Sequence, residues 1–110
     1  MITIYFSLDD ELSEFEAINK GYRNDVYAVI DKKIFQLNIY TPIRLIQDFE
    51  IEIRDYGFYP VDNNLVLVTN TDKKTIISTV LKLYANHYFN DFNDIKSVTE
   101  KQIDSFIKVY

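Results

Sequence analysis

The chain has 110 residues, of which 47% are hydrophobic and 26% charged, a size and balance typical of one globular domain. Seventeen acidic against twelve basic side chains give a net charge of −5, which disfavours nucleic acid as a partner and favours a basic protein. The lack of cysteine excludes disulfides, thiolate nucleophiles and zinc fingers. No secretory signal or membrane-spanning stretch is visible, so we expect a cytoplasmic protein without membrane contact.

The chain opens with a predicted strand, because apolar and polar residues alternate from Ile2 to Ser7. Residues 9–18 fit two structures. Leu8, Leu12 and Phe15 have the spacing of a helix face, with Asp9 as a candidate cap and Gly21 as a candidate stop. An irregular acidic loop fits the same residues, and both alternatives stay open.

Two runs rich in β-branched and aromatic residues, 25–31 and 33–40, predict an antiparallel hairpin that turns at residues 31–33. Thr41 and Pro42 then provide a helix start. Apolar residues follow at three- and four-residue steps up to Gly57, and they predict a stripe that packs against the sheet. This stripe consists of Ile43, Ile46, Phe49, Ile53 and Tyr56.

The short apolar run 65–68 predicts a central strand buried on both faces. Capping residues at 70–72 predict a second helix that reaches about Phe89, followed by a polar turn at 90–96. A capping box at residues 99–102 predicts a C-terminal helix whose apolar residues extend to Tyr110. We therefore expect one α+β domain, residues 1–110, with 94–110 as a C-terminal helical extension. Its mostly antiparallel sheet has about four strands, with two or three helices on one face.

Motifs for catalysis or cofactor binding are missing from the sequence. His87 is the only histidine, and Gly21 and Gly57 are too far apart for a phosphate-binding loop. No serine lies in a nucleophile elbow. We therefore expect no catalytic, cofactor-binding or metal-binding residue, and a protein that is not an enzyme.

The segment from Ser7 to Ala17 is strongly acidic. It contains five acids and no base, namely Asp9, Asp10, Glu11, Glu14 and Glu16. Like charges repel one another at a cost to the fold, and a cationic partner would relieve that cost. Tyr5 and Phe15 add aromatic surface beside the acids. These seven residues are the predicted partner-binding site, with a solvated acidic face as the alternative.

From about Asp25 to Phe92 the chain contains six short segments, VYAVID (26–31), YTPIRL (40–45), QDFE (47–50), YGFY (56–59), NLVLV (64–68) and HYF (87–89). They resemble the small bacterial immunity proteins encoded beside polymorphic or contact-dependent growth-inhibition toxins. The resemblance implies stoichiometric occlusion of the active site or substrate groove of a cognate toxin, commonly a basic nuclease. The alternatives are a small homodimeric structural or regulatory domain, and a ligand-binding domain or enzyme.

Overall fold

A five-stranded mixed sheet is the centre of the computed structural model, which describes residues 1–110. The strands are β1 (Ile2–Phe6), β2 (Tyr22–Ile30), β3 (Lys33–Tyr40), β4 (Leu65–Leu67) and β5 (Ile107–Lys108). The helices are α1 (Glu11–Lys20), α2 (Pro42–Tyr56), α3 (Lys73–Ala85) and α4 (Glu100–Ile103), with a 3₁₀ turn at Tyr88–Asn90. The predicted α+β class is confirmed.

The strand order across the sheet is β4-β3-β2-β1-β5. The pairs β1–β2, β1–β5 and β2–β3 are antiparallel, whereas β3 and β4 are parallel. The parallel pair exists because α2 connects β3 to β4 and returns the chain to the same end of the sheet. The sheet therefore has one strand more than expected, and it is mixed.

The predicted hairpin is confirmed as β2 and β3. Asp31 and Lys32 form its two-residue turn with φ angles of 49° and 67°, as tight hairpin turns require. By contrast, β4 is an edge strand, and the prediction that it is central is wrong. Val66 points into the core, but Leu67 is half exposed on the other face, so this run is not buried on both sides.

Helix boundaries follow local signals. Residues 9–18 lie mostly in a helix, because Asp10 caps α1 and Gly21 ends it in the left-handed conformation. Asp72 caps α3 as predicted, but α3 ends at Ala85 rather than near Phe89. His87 adopts a left-handed φ of 64°, which interrupts the helix before the 3₁₀ turn.

The main core lies between α3 and one face of the sheet. Strand alternation brings Ile4, Val26 and Leu37 to this face, and all three are fully buried. From α3, Ile76 and Val80 pack onto them and are equally buried. The amphipathic pattern of α3 thus positions this helix on the sheet.

The opposite face of the sheet is partly covered by the C-terminal residues. Ile103 packs with Tyr27 and Ile34 in a second cluster, and the ring centroid of Phe106 lies 5.0 Å from that of Tyr27. The backbone N–H of Ile95 donates a hydrogen bond to the Ile34 carbonyl at 2.8 Å. Helices therefore lie on both faces, and the prediction that they occupy one face is wrong.

Residues 94–110 are not a helical extension. The predicted capping box at Thr99 is confirmed, but α4 ends at Ile103 after one turn. The chain then forms β5 beside β1, where the N–H of Val109 donates to the Ile4 carbonyl at 2.9 Å. Main-chain pairing with β1 replaces the expected last helical turns, so this segment belongs to the sheet.

Candidate functional site

Helix α1 turns most of its apolar side chains toward solvent. Ala17 is the only buried residue of this helix, whereas Leu12 and Phe15 are 66% and 65% exposed. We use the name α1 surface for six exposed residues of this helix and the turn before it. They are Leu8, Glu11, Leu12, Phe15, Glu16 and Ile18. A helix with such a face outward leaves apolar area available for a partner.

Glu14 anchors α1 to the rest of the fold. Its carboxylate accepts hydrogen bonds from the Arg23 guanidinium and from the Lys73 backbone N–H, both at 2.6 Å. Arg23 is buried and also binds Asp25 through two hydrogen bonds of 2.9 and 3.0 Å. Arg23 also donates a hydrogen bond to the Thr71 carbonyl at 3.1 Å. Glu14 is therefore engaged inside the molecule.

Asp9 and Asp10 are also used internally. The Asp9 carboxylate accepts hydrogen bonds from the Lys73 ammonium, the shorter one at 3.0 Å. Asp10 accepts from the backbone N–H and the hydroxyl of Ser13, and these hydrogen bonds hold the pKa of the Asp10 carboxyl below its usual range. The expectation of five uncompensated acids is wrong for Asp9 and Glu14, because Lys73 and Arg23 from other elements pair with these two carboxylates.

The structure brings most of the predicted partner-binding residues together. Asp9, Asp10, Glu11, Glu14 and Phe15 line one shallow depression with Ile18 and Lys73. Glu16 follows on the same helix. Three acids of the segment, Asp10, Glu11 and Glu16, form no ion pair, and of these Asp10 caps the helix through Ser13. Tyr5 does not join them, because it packs against the second cluster on the opposite face of the sheet from Phe6.

Helix α2 presents a second exposed apolar face, which we call the α2 stripe. Its members are 39% to 73% exposed, and they are Ile43, Ile46, Phe49, Ile53 and Tyr56. The prediction that they pack against the sheet is wrong. The other side of the helix faces the fold, where Arg44 donates to the Lys20 carbonyl at 3.0 Å and stacks 5.7 Å above the Tyr22 ring. The polar side of α2 is therefore its anchor.

A tyrosine pair secures the connection after α2. The rings of Tyr22 and Tyr40 lie 4.5 Å apart, and the Tyr40 hydroxyl donates a hydrogen bond of 2.7 Å to Asp62. Burial, together with hydrogen bonds to Tyr59 and Asp62, raises the pKa of Tyr40. The hydrogen bond from Tyr40 to Asp62 therefore connects β3 to the loop before β4.

Helix α3 and Glu14 line an open groove at the edge of the main core, which we call the α3 groove. Half-buried Ile77 and Leu81, with Ala85, form its apolar floor. Two exposed lysines without ion pairs, Lys74 and Lys82, also line it. Ile77 and Leu81 also pack against the main core, so an apolar pattern in the sequence does not distinguish these groove residues from core residues.

The structure contains no cluster of three or more His, Asp and Glu side chains arranged to hold a metal ion. His87 is exposed at its turn and lines none of the three surfaces. No helix combines the length and the hydrophobicity needed to cross a bilayer. In comparisons with known proteins, no family model, no curated protein and no solved structure matches this chain.

Proposed function

We propose that this chain is a protein-binding domain that neutralises a cognate toxin by covering the toxin's active site or substrate groove with the α1 surface. The observation that carries the proposal is the orientation of α1, which directs Leu12 and Phe15 into solvent rather than into the core. Phenylalanine and leucine side chains on a helix face are suitable anchors for a protein partner, because burying each one contributes about 1.5–3 kcal/mol.

The charge of the surface favours a basic partner. Glu11 and Glu16 are exposed beside Phe15 and form no ion pair within the chain. The net charge of −5 adds a long-range attraction for cationic surfaces. Such fields raise the association rate of complementary proteins, and a nuclease that binds phosphates is a natural partner of this charge.

The resemblance of residues 25–92 to immunity proteins supports a toxin as that partner. The resembling segments lie in β2, α2, β4 and the turn after α3, which build the sheet and its connections. These segments support an immunity protein as the class of this chain. The exposure and the charge of the α1 surface are the support for its role as the interface. We therefore expect a one-to-one complex with a toxin encoded by a neighbouring gene.

The test is to measure binding of the purified chain to the protein encoded next to it, at low and at high salt. We expect Phe15→Ala to raise the dissociation rate by at least about tenfold, as hot-spot aromatic residues do. Phe58→Ala is the matched control, because Phe58 is 64% exposed but lies outside the α1 surface. It should leave the dissociation rate unchanged.

The charge of the surface is tested with Glu16→Lys. We expect this change to slow association at low salt and to have less effect at high salt, since salt screens exposed charges. Asp104→Lys makes the same charge change at an exposed position near the C-terminus and is the control. A lack of complex at either salt concentration would refute the proposed function. A complex whose association and dissociation rates are unchanged by Phe15→Ala and by Glu16→Lys would refute the α1 surface as its interface.

A further inference from the structure

Helix α2 has an apolar face that its own chain leaves uncovered. None of its 15 residues is buried, whereas the 13 residues of α3 include the buried Ile76 and Val80. An isolated helix of about 15 residues is only marginally stable in water, and most helices in proteins are stabilised by the packing of an amphipathic face. Another molecule that covers the α2 stripe would therefore stabilise this helix.

We propose that two copies of the chain pair through their α2 stripes, with the two helices antiparallel about a two-fold axis. The occupant of each stripe is thus the same stripe of a second copy. The inference does not rest on the proposed function, because no residue of the α1 surface belongs to the stripe.

The order of residues in the stripe favours a second copy over an unrelated partner. Ile46 and Ile53 lie at equal distances from a midpoint just after Phe49, and so do Ile43 and Tyr56. An antiparallel pair about that midpoint sets Ile46 of each copy against Ile53 of the other. It likewise sets Ile43 against Tyr56, and the two Phe49 rings meet at the axis. Two-fold pairing requires such a self-complementary patch, which an unrelated partner does not require.

The helix dipoles favour the antiparallel direction. In an antiparallel pair, the positive N-terminal end of each helix lies beside the negative C-terminal end of the other. A parallel pair would bring like ends together. It would also set every residue against its own copy, so it would not use the symmetry of the stripe.

The stripe is large enough for a weak dimer. Phe49 and Tyr56 are 50% and 69% exposed, and fully burying an aromatic side chain covers about 150–250 Å². Together with its three isoleucines, the stripe offers roughly 600 Å² on each copy. The resulting total of about 1,200 Å² is the lower end of the range for stable, specific interfaces. We therefore expect a dissociation constant in the micromolar range.

Charge weakens this dimer in a way that salt relieves. Glu50 follows Phe49 at the axis and is exposed without an ion pair, so the two copies of Glu50 approach each other. Both copies also carry the net charge of −5. Salt screens such repulsion between exposed charges. The dimer should therefore tighten as the salt concentration rises, whereas the toxin complex should weaken.

The first test is sedimentation velocity over a range of protein and salt concentrations. We expect the wild-type chain to dimerise, and Ile46→Asp to weaken the dimer by at least about tenfold, because it sets a carboxylate against Ile53 of the second copy. Ile51→Asp is the matched control. Ile51 is 48% exposed on the same helix but lines a separate depression with Tyr59, so this variant should dimerise like the wild type. Glu50→Gln should tighten the dimer by roughly two- to fivefold at low salt.

The second test uses the lack of cysteine in the chain, which makes an introduced cysteine the only thiol. Under oxidising conditions, an equimolar mixture of Ile43→Cys and Tyr56→Cys should form a disulfide between the two variants, because these positions meet in the antiparallel pair. Each variant alone should form far less. Its two cysteines lie roughly 20 Å apart along the paired helices, which is too far for a disulfide.

Three results would overturn the inference. One is a wild-type chain that stays monomeric at its highest soluble concentration in high salt. Another is a dimer that Ile46→Asp weakens no more than Ile51→Asp does, with both variants folded by circular dichroism. The third is cross-linking of each cysteine variant with itself as fast as in the mixture. Toxin binding is measured with variants of the α1 surface, so failure of the dimer and failure of the proposed function are distinguishable.

Discussion

Gly21 joins α1 to β2 at a point where two helices meet. Its φ of 65° is left-handed, and a Cβ added here would lie 2.5 Å from the Thr41 hydroxyl oxygen. The N–H of Thr41 donates to the Gly21 carbonyl at 2.8 Å, so the start of α2 depends on this close approach. The sequence predicted Gly21 as a helix stop, but its contact with Thr41 arises only in the folded chain.

Replacing Gly21 with alanine should therefore lower the free energy of unfolding by more than the strain of a left-handed alanine alone. We expect Gly21→Ala to lower the free energy of unfolding by about 2–4 kcal/mol, from backbone strain and overpacking together. Gly57→Ala is the control, because Gly57 has a φ of 82° but no atom within 4 Å of the added Cβ. It should cost only about 1–2 kcal/mol. Equal losses in urea unfolding would contradict the role of the contact with Thr41.

Arg23 is the buried charge that holds α1 to the sheet. Its guanidinium binds Asp25 and Glu14 and lies 4.4 Å from the centre of the Phe6 ring. This network could not be read from the sequence, because the Lys73 N–H that completes the bonding of Glu14 is 59 positions away. The acidic segment was recognised correctly, but its internal partners were invisible.

We expect Arg23→Met to destabilise the protein by about 3–5 kcal/mol, since it leaves the Asp25 carboxylate buried without its cation. The comparison is Arg54→Met on the exposed face of α2, which should change the free energy of unfolding by less than about 1 kcal/mol. Thermal or urea unfolding of both variants measures the difference. A loss of similar size in the two variants would show that the buried pairing does not stabilise the fold.

The helices show which signals a sequence carries and which it does not. The starts of α2, α3 and α4 were predicted from caps at Thr41, Asp72 and Thr99, because a cap and the N–H groups it binds lie within a few residues. The direction of the α2 stripe was predicted wrongly. An apolar stripe identifies an amphipathic helix, but the side that meets the sheet depends on anchors such as Arg44, which a hydrophobic pattern does not show.

The cap of α3 gives stability a defined acid dependence. Hydrogen bonds from Thr75 hold the pKa of the Asp72 carboxyl below its ordinary value of 3.8. The unfolded chain then takes up the proton at a higher pH than the folded chain does. The stabilisation from this carboxylate is therefore complete above 3.8 and is lost as the pH falls through the lower folded value.

Asp72→Asn keeps a cap but removes the titrating group. We expect the stability advantage of the wild type over this variant to be constant from pH 7 to about pH 5 and to shrink below about pH 4. Asp72→Ser, which also caps without titrating, should give the same profile. Denaturant unfolding at each pH measures the free energy of unfolding. If this free energy changes in parallel for the wild type and for Asp72→Asn down to pH 2, Asp72 is not the source of the acid dependence.

At the scale of the whole molecule, the C-terminal residues belong to the sheet rather than extending from it. The class and the hairpin could be predicted, because alternating patterns and turn chemistry are local. The place of β4 at the edge and the pairing of β5 with β1 could not, since a two-residue strand such as Ile107–Lys108 has no periodicity to detect. Its partner lies at the other end of the chain.

Ile103→Ala tests this placement. Ile103 is 4% exposed in the second cluster, so we expect a loss of about 2–4 kcal/mol in the free energy of unfolding. Ile107→Ala changes the same residue type at a position that is 48% exposed, and it should cost less than about 1 kcal/mol. If Ile103→Ala is as mild as Ile107→Ala, the second cluster does not contribute to the core.

The proposed neutralisation of a toxin by the α1 surface is measured by the growth of cells that express the neighbouring gene product. Co-expression of the wild-type chain should restore growth, and so should Phe58→Ala. The Phe15→Ala/Glu16→Lys double variant, produced in equal amount and folded, should not protect. Equal protection by the double variant would contradict the α1 surface as the interface, and no protection by the wild type would contradict the proposed function.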